Sequence, residues 1–184
     1  MRKLIAGINI TLDAFCDHTA GVTDDDMHQH YNDLLKTADT MIWGRITYQL
    51  MESYWPTVVK EPTGNEATDK FAVLANDIHK IVYSRTLESV DWKNAELKPE
   101  LVKEDIIALK QQPGKNILVG SPSLIVAFTK LGLVDEYQLC IHPVILGQGL
   151  PLFKNITEKI DLKLLNTKTF SSGAVVMYYE PTKR

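Results

Sequence analysis

The chain has 184 residues, 45% hydrophobic and 23% charged, the composition of an ordinary folded domain rather than a disordered, collagenous or coiled-coil segment. Twenty Lys and Arg against 23 Asp and Glu leave a net charge of −3, which supplies no positive field for nucleic acid or a membrane surface. A local basic pocket for one phosphorylated ligand remains compatible with that charge. Cys16 and Cys140 show no CxxC spacing, which points to a reduced, cytoplasmic setting. The first apolar run stops at Asn9 and Asp13, and no stretch approaches the ~20 apolar residues that a membrane span needs.

Residues 3–11 carry Leu4, Ile5, Ile8 and Ile10, the pattern of a buried strand. Thr23 before Asp24, Asp25 and Asp26 predicts a helix N-cap followed by acids in the first turn. Met27, Tyr31, Leu34 and Leu35 then share one helical face as far as about Thr37. Residues 40–43 form a short buried strand that runs into Gly44 and Arg45, where a second helix begins with Ile46, Leu50 and Tyr54 on its inner face. Pro56 to Asn65 is expected to be loop, and residues 66–76 a helix with Ala67, Phe71 and Leu74 inward.

Residues 79–83 predict a strand ending at Ser84 and Arg85, and Val102, Ile106 and Leu109 a helix that stops before Pro113. A strand over 116–119 leads into Gly120, Ser121, Pro122 and Ser123, with Ser121 as N-cap, Pro122 at the first helical position and Gly132 just past the helix end. After Val134 the pattern changes to half-buried strands over 135–142, 161–169 and 173–180, the last two joined as a hairpin through Ser171, Ser172 and Gly173. The sum is a single three-layer α/β domain, 1–184, with a mixed, mostly parallel sheet and a C-terminal antiparallel hairpin.

Three strand ends meet a turn or helix start: Gly44 with Arg45, Ser84 with Arg85, and Val119 with Gly120 and Ser121. Parallel strands share one carboxyl edge, where open α/β sheets bind ligands. Free N–H groups at helix starts suit phosphate, and arginine adds a fork of charged donors. Asp13, just past the first strand, is open to two roles: holding its turn by hydrogen bonds, or supplying a proton route. Gly147 and Gly149 lack a following helix and do not make a dinucleotide fingerprint. His28 and His30 lie on different faces of one helix and are read as solvated; Cys140 is read as core or interface packing. No His partner for Cys16 is identifiable, and no metal site is expected.

Several segments resemble the dihydrofolate-reductase-like superfamily, most closely the C-terminal reductase domain of riboflavin-biosynthesis deaminase/reductases. Residues 10–13 resemble the Ser-Leu-Asp-Gly signature of its first strand, with Ala14 in place of the glycine. Residues 42–48 resemble its Gly-Arg-x-Thr turn, and residues 119–124 its Gly-Gly or Gly-Ser phosphate turn. Residues 132–136 with 142–149, Leu152 and Phe153 resemble a long reductase-domain segment.

This likeness implies a dihydrofolate-reductase-like fold with NADPH along the sheet edge. Arg45, Ile46, Thr47, Ser84 and Arg85 would hold the 2′-phosphate and adenine end, with Gly44 at the turn. Val119, Gly120, Ser121, Pro122, Ser123 and Leu124 would take the pyrophosphate, and the Ala6 backbone would face the nicotinamide. Asp26 and Asp33 are candidates for a substrate-binding carboxylate on the first helix. No deaminase zinc motif is present, so a reductase domain alone is implied. The 140s loop lacks Lys or Arg, which argues against a phosphoribosyl-pyrimidine substrate.

The expected activity is that of an NADPH-dependent oxidoreductase, 5-amino-6-(5-phosphoribosylamino)uracil reductase-like or dihydrofolate-reductase-like, passing hydride to a small heterocyclic, carbonyl or imine substrate. The alternative is a non-catalytic nucleotide-binding or interaction protein that retains the fold. Apolar residues on both faces of the last strand, Val175, Met177 and Tyr179 against Ala174, Val176 and Tyr178, predict a homodimer through this region, with no nucleic-acid or membrane partner.

Overall fold

The computed structural model describes residues 1–21 and 24–182. In chain order the elements are β1 (Leu4–Thr11), α1 (Asp25–Lys36), β2 (Ala38–Gly44), α2 (Arg45–Glu52), α3 (Trp55–Lys60), α4 (Glu66–Asp77) and β3 (His79–Tyr83). They continue with β4 (Ala95–Lys98), α5 (Lys103–Gln111), β5 (Asn116–Val119), α6 (Pro122–Lys130), β6 (Glu136–His142), β7 (Leu162–Thr169) and β8 (Val175–Pro181). One eight-stranded sheet runs in the order β4-β3-β2-β5-β1-β6-β8-β7. The first six strands pair in parallel, while β8 lies antiparallel to both β6 and β7.

Period-two alternation divides the core between the two faces. Leu4, Ala6, Ile8 and Ile10 of β1 point with Ile42, Ile81 and Val119 toward Ile106 of α5 and Ile125 and Phe128 of α6. Ile5, Met41, Trp43 and Val82 point the other way, against Leu34 and Leu35 of α1 and Phe71 and Ala75 of α4. Central strands covered on both faces read as continuous apolar runs, which is why β1, β2, β3 and β5 are legible in sequence. No helix among the described residues is long and apolar enough to cross a membrane.

Four local expectations need correction. The first concerns Thr23, which lies outside the described residues; Asp24 is the N-cap of α1, its carboxylate accepting from Met27 N–H at 2.7 Å. The second concerns α2: Ile46, Leu50 and Tyr54 are 73%, 40% and 49% exposed, and the buried side chain is Tyr48, whose hydroxyl accepts from the Asp91 and Trp92 amides. Part of the 56–65 loop is the short helix α3, with Pro56 in its first turn, where a missing N–H costs nothing. Lastly, β4 is an unforeseen edge strand parallel to β3. Lys80 beside it is fully buried, its ammonium donating to the Asn76, Ile78 and Lys93 carbonyls at 2.9 Å each, over the Trp92 ring.

Candidate active site at the strand carboxyl edge

The β1–β5 ladder ends at Ala6 opposite Val119, whereas the β1–β6 ladder continues to Thr11 opposite His142. From Gly7 to Ile10, β1 therefore has no strand neighbour on its β5 side. Ala6 and Val119 are themselves fully buried, so only their backbone can face a ligand. The turn after β5 borders the bare stretch. A Cβ on Gly120 would stand 3.6 Å from the Gly7 carbonyl oxygen and 3.6 Å from the Trp43 indole nitrogen. Its φ lies outside the left-handed region and both distances are ordinary van der Waals contacts, so glycine here leaves open space beside Gly7 without being forced by the turn.

The turns after β2 and β5 are tied together. Gly44 N–H donates to Ser121 Oγ at 2.8 Å, and Ser121 is 1% exposed. Ser121 is the N-cap of α6 by position, but its side chain serves the neighbouring turn. Both α2 and α6 lack a side-chain cap and any acid in the first turn, unlike α1 and α4. Their N-terminal amides and dipoles stay uncompensated, the electrostatics of an anion site. Arg45 is exposed and donates to Gln49 Oε1 at 3.4 Å; Arg85 is exposed, and neither forms an ion pair with a described residue. Thr47 is half-buried and Ile46 exposed on the first turn of α2. Ser84 Oγ accepts from the Thr86 and Leu87 amides and shapes the turn that presents Arg85. Pro122 and Ser123 open α6 at the surface, while the Leu124 side chain belongs to the core.

Asp13 does not stand free at this edge. Its carboxylate accepts from Thr11 Oγ1 at 2.6 Å, from Gly147 N–H at 2.7 Å and from Leu146 N–H at 3.1 Å. The Thr11 hydroxyl and these two amides hold its pKa down to about 2. A carboxylate so engaged stays ionised near neutral pH, and its bonds clamp the 11–16 segment onto the 142–152 loop. Leu12 N–H to Val144, Cys16 N–H to Leu150 and Leu152 N–H to Ala14 complete that clamp. Ala14, where the resemblance has glycine, sits at φ +64°, in the left-handed region that favours glycine.

Helix α1 turns Met27 and Tyr31 toward the sheet and sends Asp26 and Asp33 to solvent; Asp33 bonds Gln29 and Lys36. His30 is 7% exposed, not solvated: it packs on Phe170, Tyr31 and Tyr178, and burial pushes its pKa down to about 4. Sequence reasoning also missed a polar group formed by Asn9, Tyr31 and His142 beside the bare part of β1. The signal was there, because alternate polar residues end both β1 and β6.

A mostly parallel eight-stranded sheet with helices on both faces and an antiparallel C-terminal hairpin at one edge is the dihydrofolate-reductase-like fold. Dihydrofolate reductase from Enterococcus faecalis complexed with NADP(H) superposes with a TM-score of 0.63 at 13% identity, over 98% of this chain and 97% of that one. A pyrimidine reductase-like protein from Corynebacterium diphtheriae superposes at 0.68 with 16% identity, over 100% and 93%. In sequence, the uncharacterised protein YyaP of Bacillus subtilis is 39% identical over 97% of this chain and 94% of its own length. The family described as the RibD C-terminal domain matches residues 2–176, and the chain belongs to that family. It is a family of reductase domains, which places the chain with the oxidoreductases.

Proposed function

We propose that the protein is an NADPH-dependent reductase that passes hydride to a small heterocyclic, carbonyl or imine substrate. The observation that carries this reading is the bare edge of β1 from Gly7, with two acid-free helix starts and two exposed arginines at neighbouring strand ends. NADPH, when bound, supplies the hydride. The chain supplies the rest. Arg45 and Arg85 would take the 2′-phosphate with planar donor forks, which lysine would not match. The backbone amides of the Gly120–Ser123 turn are suited to the pyrophosphate, and the absent Gly120 side chain leaves room for close approach. The backbone of β1 beyond Ala6 is free to pair with a carboxamide.

Asp13 holds the 11–16 segment against the 142–152 loop, and the proton that accompanies the hydride comes from solvent. The test is a screen of pterins, pyrimidines and simple carbonyl compounds for loss of NADPH absorbance with the purified protein. Turnover with at least one class is expected. NADPH binding with no turnover across all of them would favour a nucleotide-binding protein that has kept the fold without the chemistry.

A further inference from the structure

Trp43 lies one residue from the end of β2 and is 1% exposed. Its ring is held from behind, stacked on Trp92 with centroids 5.5 Å apart and planes 21° from parallel. Trp92 is pinned in turn. Its Nε1–H donates to Asn76 Oδ1 at 3.0 Å, its amide donates to the Tyr48 hydroxyl, and the Lys80 ammonium stands 4.5 Å from its ring centre. So braced, the Trp43 indole cannot turn to find an acceptor, and its Nε1–H forms no hydrogen bond with a described residue. An indole nitrogen only donates, and a buried one is nearly always paired.

The Nε1 edge of the ring faces the candidate site. The point that a Gly120 Cβ would take is 3.6 Å from Trp43 Nε1, 3.9 Å from its Cδ1 and 3.6 Å from the Gly7 carbonyl oxygen. That carbonyl lies past the end of the β1–β5 ladder, and the Gly120–Ser123 turn sends it no backbone hydrogen bond. One donor and one acceptor thus flank Gly120, which has no side chain to cover them, and both Gly7 and Gly120 are half-exposed. The pair selects its occupant. A phosphate oxygen could accept from the indole but would set its charge against the carbonyl lone pairs. A primary carboxamide matches both groups, since its oxygen accepts and its NH2 donates.

We propose that Trp43 is a direct ligand of the cofactor, its indole N–H donating to the carboxamide oxygen of the nicotinamide while the Gly7 carbonyl accepts from the carboxamide NH2. That role rests on the reductase reading of this edge, whereas the unpartnered donor is a property of the chain itself. With both ends of the carboxamide held, the nicotinamide ring keeps one orientation at the strand edge. The stack behind Trp43 supplies the rigidity, so the donor is in place before the nucleotide arrives.

The test follows the indole N–H signals of the three tryptophans by NMR while NADPH or 2′-phospho-ADP-ribose, which has the same phosphates and no nicotinamide, is titrated in. NADPH is expected to move the Trp43 indole proton downfield, the sign of a new hydrogen bond, and 2′-phospho-ADP-ribose to bind and leave it in place. In Trp43→Phe, NADPH should bind roughly tenfold more weakly, the loss of about one hydrogen bond, with affinity for 2′-phospho-ADP-ribose unchanged. Triple-resonance assignment of the parent spectrum keeps the titration readable whether or not that variant folds. A Trp43 signal unmoved by NADPH, an equal shift with 2′-phospho-ADP-ribose, or undiminished NADPH binding in Trp43→Phe overturns the proposal and leaves the reductase reading standing. Failure of NADPH to bind the parent overturns both.

Discussion

Ala14 and His30 show how single positions record function and cost. Ala14 holds a left-handed φ of +64°, worth about 1–2 kcal/mol of strain for a residue with a Cβ, against roughly half of the ~0.8 kcal/mol that a fully buried methyl returns. Ala14→Gly is therefore expected to raise the unfolding free energy by about 0.5–1 kcal/mol, read from urea denaturation. His30 is buried neutral, with a pKa near 4 against 6.5 when unfolded. Between those values the unfolded chain binds the proton and the folded chain does not. Its contribution is complete above pH 6.5 and is lost as pH falls toward 4, on the order of 2–3 kcal/mol. His30→Phe keeps the packing against Phe170 and removes the titration. Denaturation at pH 7 and pH 4 should show the variant losing less stability than the parent, and an equal loss would place the imidazole in water.

Legibility changes at the level of elements. Strands β1, β2, β3 and β5 could be read from apolar runs, and the helices α1, α4, α5 and α6 from a helical period, because burial on one or two faces imposes the pattern. β4 could not, since Ala95-Glu96-Leu97-Lys98 is an edge strand with water on one side and no apolar repeat. The α2 face was misread for a related reason: Ile46 and Leu50 are large apolar residues left in solvent, and Tyr48 is inward because its hydroxyl caps the 91–92 amides. Lys80 looks like a surface residue by composition, and only three converging carbonyls account for it. At the site, the strand-end turns were legible as Gly-Arg and Gly-Ser pairs, but the Asp13 clamp and the His142 cluster needed the register between distant strands. The Gly120 turn carries a prediction at this scale. Gly120→Ala should fold and bind nucleotide, since its Cβ meets ordinary contacts at 3.6 Å. Gly120→Val should fill the gap beside Gly7 and abolish NADPH binding while the circular dichroism of the fold persists; normal binding by the valine variant would place the nucleotide elsewhere.

For the whole molecule, the hairpin edge is the open question of assembly. One face of β8 is covered, Ala174 and Val176 packing with Phe170 beneath Met27 of α1. The opposite face leaves Val175, Met177 and Tyr179 half-exposed, next to Leu164 at 49% and Phe153 at 39%. We propose a second copy as the cover, through a two-fold contact that buries the same strip from both chains. Analytical ultracentrifugation at micromolar concentration should give twice the 20.8 kDa chain mass, and a clean single-chain species would reject the dimer.

The central claim, a reductase site built for NADPH, is tested most directly by titrating NADPH and NADH into the protein and into the Arg45→Ala, Arg85→Ala double variant, following nucleotide fluorescence. The prediction is saturable binding with NADPH preferred, and loss of most of that preference when both arginines are removed. Equal affinity for the two nucleotides in the unmutated protein, or no binding of either, would contradict it.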